Sequence, residues 1–271
     1  MAPVPPAPRP VTGRRLARGL IGTGVELIVP AGLITAWWLM SSGSTSPFFP
    51  PLSAILSALR ETWLFAHFSS DALPSLGNLA VGYLIASAAG VLIGLVLGMA
   101  PVLGDAAAPV VEFLRAVPGV SLLPAAVLLL GIGSQTQIAL IAYGAVWPVL
   151  LNTADGVRGI DPLVGEVGRS YRISRRDRVL RIVLRAASPQ IVAGMRTALS
   201  IGITMIVFSE MVGSTEGIGY QILQSQRGFA VPEMWAGMVL LGILGYLLNI
   251  AFRGFENIVL KWHRGMRERS Q

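Results

Sequence analysis

The chain has 271 residues, of which 53% are hydrophobic and 13% charged, with no cysteine and a net charge of +7. Such a balance excludes an ordinary soluble domain and places the chain among membrane proteins, and the lack of cysteine excludes disulfides, thiolate metal sites and cysteine nucleophiles. Apolar stretches of about twenty residues, the length a helix needs to cross a bilayer, alternate with short polar segments. Backbone groups in hydrocarbon must be satisfied within their own segment, so these stretches predict an all-α polytopic membrane protein with six transmembrane helices and rule out alternating barrel strands.

Residues 1–19 are basic and Pro-rich and read as a cytoplasmic tail. The first span is expected over 20–40; it is too long for a signal-peptide core and lacks a small-residue cleavage site, and Trp37 and Trp38 mark its outer interface. An external segment follows over 41–73. Its Pro50-Pro51-Leu52-Ser53 start and the apolar Ile55, Leu56, Leu59 and Trp63 predict a short amphipathic helix resting on the outer membrane surface. The second span, 74–99, carries Gly82, Ala86, Gly90, Gly94 and Gly98 on one nearly bare face, open to close approach by another backbone. That face serves either packing within the chain or a seam between subunits.

In the third span, 109–130, Pro118, Pro124 and Gly119 weaken the helix ladder and predict a kink beside a cavity. The fourth span covers 137–154 and the fifth 191–212, with a shorter small-residue series at Gly194, Ala198 and Gly202. Near the outer end of the fifth, Ser209 and Glu210 interrupt apolar sequence. Glu210 either faces a partner or aqueous path at membrane depth or caps the span at the interface. The glycine-rich loop from Gly213 to Tyr220 lies outside as a gate or docking surface, the sixth span covers 234–255, and 256–271 form a cytoplasmic tail.

Lys and Arg are held back on the cytoplasmic side of short loops. Arg9, Arg14, Arg15 and Arg18, the eight arginines from Arg158 to Arg185, and the cations of the last segment all fall on one side when both termini are inside, leaving Arg60 and Arg227 clearly outside. This N-in, C-in topology accounts for the positive charge without nucleic acid. It also puts His67 and His263, the two histidines, on opposite faces of the membrane. No histidine dyad or HExxH-type site can then form, which removes the main routes to an intramembrane enzyme. A secondary transporter would show an inverted repeat or buried carboxylates for coupling ions, and only Glu112 and Glu210 are available.

The longest cytoplasmic segment, about 155–190, is both basic and amphipathic. Asp161-Pro162 is a helix start, with an N-cap acceptor followed by proline, and Val164, Val167, Gly168 and Tyr171 fall on one face. Ser174 with Asp177 three residues later has capping-box form and precedes Val179, Leu180, Ile182, Val183 and Leu184. Two short helices joined by a tight turn are expected, with arginines at the rim. Their partner is a cytoplasmic protein or lipid headgroups.

Within this segment the sequence resembles the EAA loop of binding-protein-dependent ABC importer permeases, whose pattern is Glu-Ala-Ala, three residues, Gly, nine residues, Ile-x-Leu-Pro. Glu166, Ile182 and Leu184 match in register, and Gly168 is a small residue for a small residue; Arg172 stands at the glycine and Arg185 at the proline, with Pro189 four residues later. The resemblance runs from about Pro50 to the C-terminus and is similar to the nitrate, sulfonate and taurine branch through Arg115-Ala116-Val117-Pro118, Leu122-Leu123-Pro124, Gly131-Ile132-Gly133, Pro148-Val149-Leu150-Leu151-Asn152-Thr153, and Glu210 followed by Gly217-Ile218-Gly219-Tyr220.

The resemblance implies a type I importer permease fold with its core over 74–255, in a prokaryotic cell membrane. It implies a homodimer of permeases with two ATPase subunits, an external substrate-binding protein and surrounding lipid as partners. No phosphate-cradling Gly-x-x-x-x-Gly-Lys-Ser/Thr motif occurs in the chain, so ATP and magnesium belong on the separate ATPase and no cofactor is expected here. Coupling residues on this view are Glu166, Gly168, Arg172, Ser174, Arg175, Arg176, Asp177, Ile182 and Leu184. A central dimer cavity is expected beside Ser121, Met205 and Ser209, with Glu210 stabilising the outer gate by turning toward a donor such as Arg227. The cargo implied is a small anion of sulfonate, taurine or nitrate type, with a vitamin precursor or aromatic carboxylate as the alternative for the same machinery.

Overall fold

A computed structural model describes residues 28–262. The basic tail 1–19, the first residues of the expected span 20–40, and His263 lie outside the described residues. The chain divides into two units, 1–57 and 58–271.

In the first unit α1 (Ile28–Ser41) is apolar but shorter than a full span. Ser41 Oγ accepts from Leu52 N–H at 3.1 Å, which ties the end of α1 to the start of α2 (Leu52–Ala58). Leu52 and Ile55 are buried.

The regular elements described in the second unit are all helical. Two π-type stretches, Leu59–Ala66 and Phe68–Ala72, lead into α3 (Leu73–Met99). Trp63 is 1% exposed. Its ring lies over Gly237 beside Ile222, so the expected amphipathic segment buries this residue on its own protein rather than in the membrane surface. After α4 (Pro101–Ala116) the chain turns by 77° into a 3-10 turn, Gly119–Leu122, and α5 (Leu123–Leu130). This corrects the single kinked span expected over 109–130. Val117 and Pro118 adopt extended backbone, because proline disfavours helix at the residue before it and has no N–H to continue the ladder.

The next helix, α6 (Ser134–Arg158), occupies the centre of the unit. On one side the glycines of α3 meet it: a Cβ on Gly94 would stand 2.6 Å from both Leu150 O and Thr153 Cβ, and Gly82, Gly90 and Gly98 meet Ile141, Val149 and Val157. On the other side Gly194 lies under Pro148 O and Asn152. The bare face of the second span is therefore filled within the chain, and the seam between subunits is not where it leads. Ala86, Ala145, Val149 and Ala198 close the core where three helices meet.

A short helix, α7 (Pro162–Ser170), precedes the longest element, α8 (Arg175–Gly213, 39 residues). The expected second short helix of the cytoplasmic segment is thus the first part of α8, continuing through π-type turns at Arg178–Val183 and past Pro189. α9 (Ile218–Arg227) and α10 (Val231–Val259) complete the unit. Among the described residues four helices are long and apolar enough to cross a membrane, and the bent α4–α5 pair makes a fifth if counted as one span.

Candidate functional site

Three places on the second unit gather the residues singled out by sequence. The first is the turn between α7 and α8. Asp161 Oδ1 accepts from Leu163 N–H at 2.8 Å and starts α7; Ser174 Oγ accepts from Asp177 N–H at 3.1 Å and donates to Asp177 Oδ2 at 2.7 Å, which starts α8. Between them Ile173 N–H reaches back to Gly168 O at 3.0 Å, while Arg172 takes φ +52°. A six-to-one bond over a left-handed residue is a Schellman helix end. Arg172 therefore makes the turn that the EAA pattern assigns to glycine, with its side chain exposed. Gly168 is buried where α7 crosses α8, 3.8 Å from Arg178 Cδ and 3.9 Å from Ile182 Cδ1 for an added Cβ. Glu166, Arg175, Arg176 and Arg185 are exposed, Ile182 and Leu184 are half-buried, and Arg181 pairs with Asp177 at 3.2 Å.

A left-handed conformation costs an L-residue about 1–2 kcal/mol and glycine almost nothing. Arg172→Gly should accordingly leave the Ile173 amide as protected as before or better. Arg172→Val, whose β-branch fits that region worst, should speed its hydrogen exchange by about tenfold or more. Equal exchange in the two variants counts against the strained turn.

The second place is a cavity of about 330 Å³ at the α4–α5 break. Its walls are Arg115, Val117, Pro118 and Gly119 from the break, Tyr143, Gly144, Trp147, Pro148 and Leu151 from α6, and Ile201 and Met205 from α8. Tyr143 donates its hydroxyl to Leu114 O at 2.6 Å and meets Trp147 edge-to-face at 5.6 Å. Met205 sits across two bare positions: an added Cβ on Gly119 would lie 3.1 Å from its sulfur, and one on Gly144 2.9 Å from its Cγ. Of the expected path residues, Met205 is in the wall; Ser121 is exposed in the 3-10 turn, its hydroxyl donating to Pro118 O at 2.7 Å. Ser209 is elsewhere. It is 1% exposed, donates to Ile206 O at 2.9 Å, and does not line this cavity, because it falls on the packed side of α8.

The third place lies at the far end of α8. Glu210, 1% exposed, accepts from Ser75 Oγ at 2.5 Å and from Gly219 N–H at 2.8 Å. Asp71 Oδ1 accepts from Gly217 N–H at 2.8 Å, and Ile218 N–H donates to Ser75 Oγ at 3.0 Å. The first N–H groups of α9, which have no partner inside their own helix, are thus taken up by side chains of α8, of α3 and of the stretch leading into α3. The positive end of the helix dipole favours carboxylates there. Gly217 has φ +111° and lies against the Glu210 carboxyl group, where a Cβ would come within 2.5 Å of Cδ. Glu210 is therefore held by Ser75 and Gly219, not by Arg227. Beside this clasp Gln137 bridges α3 and the loop, accepting from Asn78 Nδ2 at 2.5 Å and donating to Ser214 Oγ at 2.9 Å.

Sequence reading missed Asp71, Ser75, Asn78 and Gln137 as one group. The available signal was their clustering, with Ser134, at the starts of two otherwise apolar spans. It took Arg115 only as part of the Arg115-Ala116-Val117-Pro118 run and gave it no role; its signal is a cation within an apolar run.

The chain matches the family described as binding-protein-dependent transport system inner membrane component over residues 86–264. It is 29% identical over 238 residues to the putative aliphatic sulfonates transport permease of Bacillus subtilis (strain 168), covering 87% of this chain and 86% of that one. To the nitrate import permease of Leptolyngbya laminosa it is 28% identical over 257 residues, covering 87% and 88%. Its fold is like that of a chain of the MetNI methionine ABC transporter solved in inward-facing conformations, with a TM-score of 0.60, 23% identity, and 70% of this chain and 94% of that one covered.

Proposed function

Because the chain belongs to the family of binding-protein-dependent transport system inner membrane components, a multi-pass inner-membrane family, we propose that it forms the translocation path of an ATP-driven importer for small anions of the sulfonate, taurine or nitrate type. The observation that carries this reading is the α7–α8 turn. Its Schellman end, capping box and arginine rim present an exposed helix in the register of the EAA loop. On this reading Glu166, Gly168, Arg172, Ser174, Arg175, Arg176, Asp177, Ile182 and Leu184 form the surface that seats in a separate ATPase. That ATPase binds ATP and magnesium; this chain binds neither. Closure of the ATPases then draws two copies of the turn together and moves the cavity from inward-open to outward-open.

The placement of cations supports six spans with both termini inside and the core over 74–255. A second permease copy closes the path, and an external binding protein delivers cargo. The anion class is supported by the names of the sulfonate and nitrate permeases that the chain resembles over most of its length.

Reconstitution in proteoliposomes with an ATPase and a binding protein of the same importer tests the proposal. ATP-dependent uptake of labelled taurine, an alkanesulfonate or nitrate should require all three components. Uptake by this chain alone, driven by an ion gradient, would mean a secondary transporter instead.

A further inference from the structure

Arg115 ends α4 in the wall of the cavity, and it is the one permanently charged group among the residues that line it. No carboxylate lies within ion-pair distance of it among the described residues. Its depth follows from Tyr143, which holds Leu114 O: Tyr143 is nine residues into α6, about 14 Å from one end of that helix and about 22 Å from the other at 1.5 Å per residue. A cation at mid-length of a membrane helix bundle is costly and marks a polar path or ligand. Around it the wall is aromatic and aliphatic, with Tyr143, Trp147 and the Met205 thioether.

We infer that Arg115 and this wall form an anion subsite inside the permease, taking a planar or tetrahedral oxyanion on the guanidinium and an alkyl group, where present, on the aromatic face. The fork of a guanidinium donates to two oxygens of one nitrate or sulfonate, which a lysine point charge cannot reproduce. Tyr143 acts as a positioning residue: its hydroxyl fixes the backbone one residue before Arg115. Cargo selection then has a second checkpoint after the binding protein, because a neutral solute offers the guanidinium no counter-charge and gains nothing at the break.

The inference rests on the anion-import reading, and one experiment separates the two. In proteoliposomes holding the full complex, uptake of nitrate, taurine and an alkanesulfonate is measured per ATP hydrolysed. Arg115→Gln should lower the ratio by about tenfold or more, the loss of a charged hydrogen-bonding partner, while hydrolysis stimulated by the loaded binding protein continues. Arg115→Lys should fall in between, about three- to fivefold down; if the neutral variant does not assemble, the lysine variant decides, and a wild-type ratio in it overturns the subsite. Wild-type ratios in both variants, in a complex that does import one of the anions, overturn the subsite alone. A wild-type complex that imports none of the three overturns the functional reading and the subsite with it.

Discussion

Replacing Glu210 with Ala should loosen the loop 213–219 and lower stability in detergent by about 1.5–3 kcal/mol, since one buried backbone donor loses its hydrogen bond to the carboxyl group. The figure follows from what is left behind. Gly219 N–H is a helix-start donor with no acceptor in its own helix, and removal of the carboxyl group strands it in a dry site. Ser75 keeps a partner, because its single hydroxyl proton also has Asp71 O at 2.8 Å to receive it. Glu210→Gln should therefore be much milder: the amide oxygen still accepts from Gly219 N–H, and Ser75 turns its proton to Asp71 O and accepts from the amide. Thermal unfolding of the two variants, with proteolysis at the loop as a second readout, measures the difference. Identical melting of Glu210→Ala and wild type would dissolve the clasp.

Gly94→Leu should abolish folding, and even Gly94→Ala should cost about 3 kcal/mol, at the upper end of what overpacking one methyl costs. The neighbours of the new Cβ are Leu150 O and Thr153 Cβ, both 2.6 Å away and both fixed to the backbone of α6, so no rotamer change relieves the contact. The two helices would have to separate, and in lipid their association rests on close van der Waals packing. Gly77 is the internal control. It lies on the same helix with nothing within 4 Å of an added Cβ, and Gly77→Ala should be neutral or stabilising by about 0.5–1 kcal/mol. Folded yield on size exclusion and the melting point distinguish the pair. If both substitutions behave alike, the glycine face does not set the α3–α6 distance.

Local chemistry in this chain was legible; chemistry between distant segments was not. The capping box at Ser174 and Asp177 and the helix start at Asp161 depend on residues three apart or fewer, so sequence finds them directly. The α3, α6, α8 and α10 spans were readable from length and apolar content; α3 matched its expected ends to within a residue, while α6 and α10 ran a few residues further at each end because polar residues such as Ser134 and Arg158 extend a helix beyond the hydrocarbon. Pro118 marked a weak point without giving its angle, and a weakened ladder is compatible with anything from a gentle bend to the 77° turn observed. Glu210 was matched with Arg227 because opposite charges are the conspicuous partners. The donors used are a serine hydroxyl 135 residues away and a backbone N–H, neither of which carries a charge to be noticed. The direction in which the bare face of α3 points is likewise a three-dimensional fact with no local signal.

The continuity of α8 has a mechanical meaning. Its 39 residues make a rod about 58 Å long at 1.5 Å per residue, with the arginine-rimmed turn at one tip and the Glu210 clasp at the other. Compliance is concentrated near the tip that carries the turn, in the π-type turns at Arg178–Val183 and at Pro189; beyond it the shaft is braced along α6 through Gly194 and Ala198. On the proposed import reading, a sideways push on the turn that outlasts the give in these turns tilts the braced shaft with α6 as fulcrum, and its two tips move in opposite senses without any relay of small side-chain shifts between them.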